Sequence, residues 1–124
     1  MTEKIETKSA PAAIGPYAQG VKLGNLVFTS GQIALDPETG ALAENCVTVQ
    51  TEQVMKNLGA ILAEAGTDFS RVVKTTCYLT DMANFAEFNS VYSKYITSAA
   101  RSCVAVSALP KGALVEVDVV AEIG

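Results

Sequence analysis

Nine residues near the end of the chain, VEVDVVAEI from Val115 to Ile123, set the tightest limit on the fold. Side chains of a strand alternate between two faces, so Val115, Val117, Val119 and Ala121 fall on one side, and Glu116, Asp118 and Glu122 on the other. Such a strand belongs to a sheet whose apolar face has to be covered. Two stretches have the period of covering helices. From about Val47 to Ala65 the apolar residues Val47, Val54, Leu58, Ile61, Leu62 and Ala65 recur at helical spacing, and Gly66 suits the C-cap. Asp81 can cap a second helix, over which Phe85, Phe88, Tyr92 and Ile96 form a buried stripe.

The remaining apolar runs read as strands. KIETK at residues 4–8 is a short first strand, and SAPAAIGP after it is a loop broken by Pro11, Gly15 and Pro16. YAQGVKLG and NLVFTSGQI flank Gly24-Asn25, a turn joining an antiparallel pair. DPETG, from Asp36 to Gly40, is a solvated turn. RVVKTTCYL at 71–79 is a longer strand rich in β-branched and aromatic residues. Another runs from Arg101 to about Ser107, after the short link TSAA, and ALPKGA leads from it to the last strand. The sequence contains no internal repeat and no linker composition, so residues 1–124 are expected to form one domain. The order of strands, helix, strand, helix and two strands predicts an α+β fold, with two helices on one face of a mixed sheet. The sheet's second face is left for a partner.

Charge interrupts this pattern at two places. In the strand from Arg101, alternation puts Arg101, Cys103 and Ala105 on one face and Ser102, Val104 and Val106 on the other. The valine face is the expected core side, which leaves a guanidinium and a thiol looking outward, with Glu116 as a carboxylate for the same polar surface. A guanidinium fork grips carboxylates in a bidentate way. Tyr17 lies just beyond the Pro-rich loop, Ser30 offers a hydroxyl, and Gly31 permits close backbone approach to a ligand. Asn89 interrupts the apolar stripe, four residues after Phe85 and three before Tyr92, so its amide faces inward and needs partners.

The chain has no histidine, which removes serine triads, most catalytic zinc sites and the usual neutral-pH base. Its three cysteines, Cys46, Cys77 and Cys103, have no ligand-like spacing, and no phosphate-cradling glycine loop is present, so neither a metal nor an organic cofactor is expected. A net charge of −4 argues against a nucleic-acid partner. No apolar run is long enough to span a membrane, and no apolar signal region precedes the cysteines. A reducing, cytoplasmic location is expected.

The constellation IGPYAQGVKLGNLVFTSGQI, QTEQVMKNLGAIL, FAEFNSVY and ARSCVAVSALPKGALVEVDVVA resembles the RidA (YjgF-like) branch of the reactive intermediate deaminase family over essentially the whole chain. The chain departs from the common pattern between Ile96 and Arg101, where TSAA is short and lacks a proline before Ala-Arg. The resemblance implies a chorismate-mutase-like α+β fold of about six strands, assembled as a homotrimer with ligand clefts between subunits. It implies hydrolysis of the imines and enamines released by pyridoxal-phosphate enzymes, such as 2-aminoacrylate, to 2-keto acids and ammonia. The site positions it carries over are Tyr17, Ser30, Gly31, Asn89, Arg101, Cys103 and Glu116. In this scheme Arg101 binds the substrate carboxylate and Glu116 holds the attacking water, while Cys103 is a contact rather than a nucleophile, because no histidine activates it.

Assembly also follows from reach. If the last two strands paired as a hairpin about LPKG, Glu116 would lie roughly 20 Å along the strand from Arg101, too far for one water to bridge. The resemblance implies another strand order, in which these two are not neighbours and a second subunit completes the site. The competing classes are an RNA-acting endoribonuclease or translation inhibitor, and a non-catalytic metabolite-binding or redox-triggered chaperone module.

Overall fold

The strand at the end of the chain lies inside the sheet, with the alternating burial that its sequence predicts. The structure, a computed structural model, describes residues 2–124. Six strands, β1 (Thr2–Ile5), β2 (Gly20–Leu23), β3 (Leu26–Thr29), β4 (Val72–Leu79), β5 (Ala100–Ala105) and β6 (Val115–Glu122), form one sheet in the order β1-β2-β3-β6-β4-β5. All neighbours are antiparallel except β4 and β5, which run parallel. The last two strands are therefore not a hairpin, because β4 lies between them.

Helices α1 (Val47–Ala65) and α2 (Phe85–Tyr92) cover one face. Val54, Leu58, Ile61 and Leu62 of α1 and Phe88 of α2 are fully buried with Cys77 and Leu79 of β4 and Val115, Val117 and Val119 of β6. The predicted helix beginning at Asp81 is divided. Asp81 caps a 3-10 turn over Met82–Asn84, its carboxylate accepting from the Ala83 N–H, and α2 follows. Phe88, Tyr92 and Ile96 are buried as the stripe predicts, and Phe85 is partly so. The turn Gly24-Asn25 joins β2 to β3, and Gly24 takes φ 60, which costs glycine nothing.

Side chains outside the apolar pattern tie the helices to the loops. Cys46, the N-cap of α1, provides no side-chain cap, but Glu87 of α2 accepts from the Thr48 N–H at 3.0 Å and its hydroxyl at 2.7 Å. A carboxylate there also complements the helix dipole. The buried Gln50 donates to Ala43 and Glu44 carbonyls and accepts from the Leu114 N–H at 2.9 Å, fixing the entry to β6.

Beyond β3 the chain stays against β6. Phe28 pairs with Val120 and Gln32 with Val117, so three residues, Thr29 to Gly31, oppose two. This is a β-bulge, and the Thr29 hydroxyl replaces the missing ladder acceptor by taking the Val119 N–H at 3.0 Å. Ser30 and Gly31 sit on it.

Candidate active site

The parallel register of β4 and β5 decides where Arg101 points. Thr75 faces Arg101 and Cys77 faces Cys103, so each pair shares a side of the sheet. Thr75 and Cys77 are fully buried on the helix-covered side, and Arg101 and Cys103 therefore lie on that side too. This reverses the expectation that Val104 and Val106 mark the core face, for Val104 is 47% exposed on the open one. The physical reason lies in α2. At the sheet's outer strand the covering layer is aromatic, and the Arg101 guanidinium carbon lies 4.8 Å from the Tyr92 ring centre and 5.3 Å from that of Phe85. Ring faces are negative, so they receive a cation that aliphatic side chains would exclude. Asn89, between them on α2, accepts a hydrogen bond from Arg101 Nη1 at 2.6 Å. The half-buried amide thus has a partner for its oxygen. A cleft of about 330 Å³ opens beside Arg101, walled by Asn89, Tyr92, Ile96, Thr97 and Ala99.

Glu116 belongs to a second cleft of about 300 Å³, lined also by Tyr17, Gln19, Gly31 and Lys111. Alternation along β6 turns Glu116 to the open face, since Val115 and Val117 are buried. Burial, and then the Asp118 carboxylate two residues on, raise the Glu116 pKa above the ordinary glutamate value. Tyr17 is 51% exposed at the mouth of this cleft. The Ser30 hydroxyl donates to the Ala18 carbonyl at 2.5 Å, so it braces the segment carrying Tyr17.

Arg101 and Glu116 do not share a surface within one chain, contrary to the expectation from alternation alone. Arg101 is level with Thr75 and Glu116 with Tyr78, three residues and two strand spacings apart, which is roughly 14 Å in the plane of the sheet. They also point to opposite faces. Tyr17, Gly31 and Glu116 gather at one cleft, and Asn89 and Arg101 at the other. Cys103 flanks Arg101 on β5, and burial raises its thiol pKa, while the buried Cys77 opposite is pushed up to about 12. Neither thiol is activated as a nucleophile.

Gly31 lines the second cleft and also permits a close approach within the chain itself. A Cβ built there would lie 2.3 Å from Glu116 Oε2 and 2.8 Å from its Cδ, so the missing side chain is what admits the carboxylate. Gly31→Ala should displace the Glu116 carboxyl while costing only about 1 kcal/mol of stability or less, because a flexible side chain can swing away where packed backbone could not. Thermal denaturation together with a crystal structure of the variant checks this: a small change in Tm with the Glu116 carboxyl moved out of its present position is the expected outcome.

Sequence reasoning missed Gln19 and read Phe85 and Tyr92 only as core. The buried Gln19 side chain accepts from the Thr7 N–H and donates to the Thr7, Ala10 and Pro11 carbonyls, and so shapes the loop beside Tyr17. A glutamine among small residues gave no periodic signal. For the aromatics the signal existed, since Phe85, Asn89 and Tyr92 at i, i+4 and i+7 share one helix face.

No group of three or more Cys, Asp or Glu side chains among the described residues is arranged to hold a metal ion, and no helix among them is long and apolar enough to cross a membrane. Residues 7–123 match the family described as Endoribonuclease L-PSP. RutC family protein y4sK of Sinorhizobium fredii is 49% identical over 122 residues, 97% of each chain. The 2-iminobutanoate/2-iminopropanoate deaminase of Salmonella typhimurium is 46% identical over 126 residues, 98% of each. A crystal structure of E. coli TdcF with bound serine superposes with a TM-score of 0.94 at 41% identity, covering 98% of this chain and 99% of that one. Matched over nearly its whole length in sequence and in fold, the chain belongs to the endoribonuclease L-PSP family, in its RidA (YjgF-like) branch.

Proposed function

We propose that this protein hydrolyses 2-imino and 2-enamino acids to 2-keto acids and ammonia, at sites formed between the copies of a homotrimer. The observation that carries the reading is the guanidinium of Arg101, oriented by Asn89 and two rings yet paired with no acidic side chain among the described residues. Its free donors suit a carboxylate, and every substrate of this class has one beside the reacting C=N carbon. Two relatives add support: the Salmonella protein is named for this activity, and TdcF holds serine, a small acid with nitrogen on the same carbon.

The residues have simple tasks. Arg101 grips the carboxylate, a charge-assisted contact contributing about 1.5–3 kcal/mol. Glu116 of a neighbouring copy holds a water and accepts its proton as the oxygen attacks the imine carbon. Glu116 passes that proton to the imine nitrogen, giving a neutral carbinolamine. It then moves the carbinolamine's hydroxyl proton to the same nitrogen, so that ammonia leaves and the C–O bond becomes the carbonyl of the keto acid. The imine is already electrophilic, so positioning provides most of the acceleration required. The open sheet face, with Phe28, Tyr78, Val104 and Val120 on it, is the surface we assign to the neighbouring copies. The test is to generate 2-aminoacrylate, or its four-carbon homologue, with a pyridoxal-phosphate dehydratase, and time keto-acid appearance with and without the protein. No acceleration would reject the reading.

The pH profile follows from Glu116. It acts deprotonated, and its pKa is raised, so the acid limb of activity should lie above the ordinary glutamate range. Asp118→Asn removes a negative neighbour that raises Glu116, so the limb should move to lower pH. A limb that stays in place would exclude Glu116 as the titrating base.

A further inference from the structure

The guanidinium of Arg101 is held by a closed circuit of contacts. Thr75 faces Arg101 across the β4–β5 register, and its fully buried hydroxyl lies 2.8 Å from that of the buried Tyr92. The Tyr92 ring returns to Arg101 at 4.8 Å, with Phe85 at 5.3 Å. The Asn89 carbonyl takes an Nη1 proton, and no other acceptor among the described residues bonds to the guanidinium. We infer that Tyr92 and Thr75 are positioning residues for carboxylate recognition. The Thr75-anchored ring, with Phe85, fixes the guanidinium plane so that its Nε and Nη2 edge, which Asn89 leaves free, meets the ligand. This rests on the reading of Arg101 as the carboxylate site.

The chemistry favours rings over a salt bridge. A glutamate or aspartate beside Arg101 would offset the cost of burying its charge, but it would occupy the same donors that a substrate needs. Ring faces stabilise the cation and take no N–H. A clamped arginine has also given up its rotamer freedom on folding, so little is lost when the ligand binds.

The test is calorimetric titration of the assembled full-length protein with 2-oxobutanoate, the keto-acid product. Tyr92→Leu should weaken binding roughly tenfold or more, and Tyr92→Phe, which keeps the ring, should recover most of that loss. Tyr92→Phe and Thr75→Val remove the same tether, so the double variant should bind no worse than either single one. Wild-type affinity in a folded Tyr92→Leu protein would overturn the clamp, as would additive effects of the two tether variants. If Tyr92→Leu does not fold, Phe85→Leu at the partly buried ring serves in its place, with weakened binding expected and wild-type affinity overturning the proposal. Arg101→Ala separates the two readings. Lost binding there with wild-type binding in the clamp variants rejects the clamp alone, whereas undiminished binding in Arg101→Ala rejects the carboxylate site and the clamp with it.

Discussion

Arg101→Ala should abolish measurable imine hydrolysis in a protein that still folds and assembles. Loss of the charge-assisted carboxylate contact alone predicts roughly a 10- to 150-fold drop, at about 1.36 kcal/mol per factor of ten. Misalignment of the reacting carbon against the water adds to this, because the same contact sets the substrate's orientation. The fold should tolerate the change. Arg101 sits on an edge strand, pairs with no acidic group among the described residues, and leaves Asn89 only partly buried, so water can satisfy the amide once the guanidinium is gone. Arg101→Lys should also be poor, since an ammonium is a point charge without the planar fork. Keto-acid formation, circular dichroism and light scattering on each variant check the claim. Undiminished turnover in an assembled Arg101→Ala protein would remove the basis of the proposed mechanism.

The architecture was largely legible because both periodicities are strong. Alternation from Val115 gave the one-sided sheet, and the helical spacing between Val47 and Ala65 matches α1 residue for residue. Strand order is a different matter. Local pattern cannot say whether β6 returns beside β5 or crosses to the far side of β4, and only the family resemblance indicated that the two are apart.

The site was half legible. Residue types and spacing singled out Arg101 and Glu116 as candidates and marked Asn89 as an inward amide that only the resemblance made a site residue, but the assignment of Arg101 to the open face failed. It assumed that valine marks the core and arginine the surface, a rule that holds where the covering layer is aliphatic. Under α2 the cover is Phe85 and Tyr92, which favour a cation, while Val104 is left on the open face. Gly31 shows a related limit. Its value lies in the Glu116 carboxyl beside it, 85 residues away in sequence, and no local pattern records that contact.

The opposite facing of Arg101 and Glu116 leads to the second large effect. Arg101→Ala and Glu116→Gln chains should each be inactive alone, yet regain activity when co-assembled. If one copy provides Arg101 and its neighbour Glu116, an intact site forms wherever a Glu116→Gln chain presents its arginine to an Arg101→Ala chain presenting its glutamate. Every trimer that contains both chains has one of its three sites intact, whichever chain is in excess, so roughly a third of wild-type activity should return in purified mixed trimers. A site contained in one chain predicts none, because every chain carries one lesion. The mixture should be made by co-expression with two different tags, and trimers bearing both should be purified so that exchange is established before the assay. Doubly tagged trimers as inactive as their parents would place both groups on the same chain, which the roughly 14 Å offset and opposite faces of the sheet argue against. A fully active monomer in light scattering under assay conditions would refute the shared site directly.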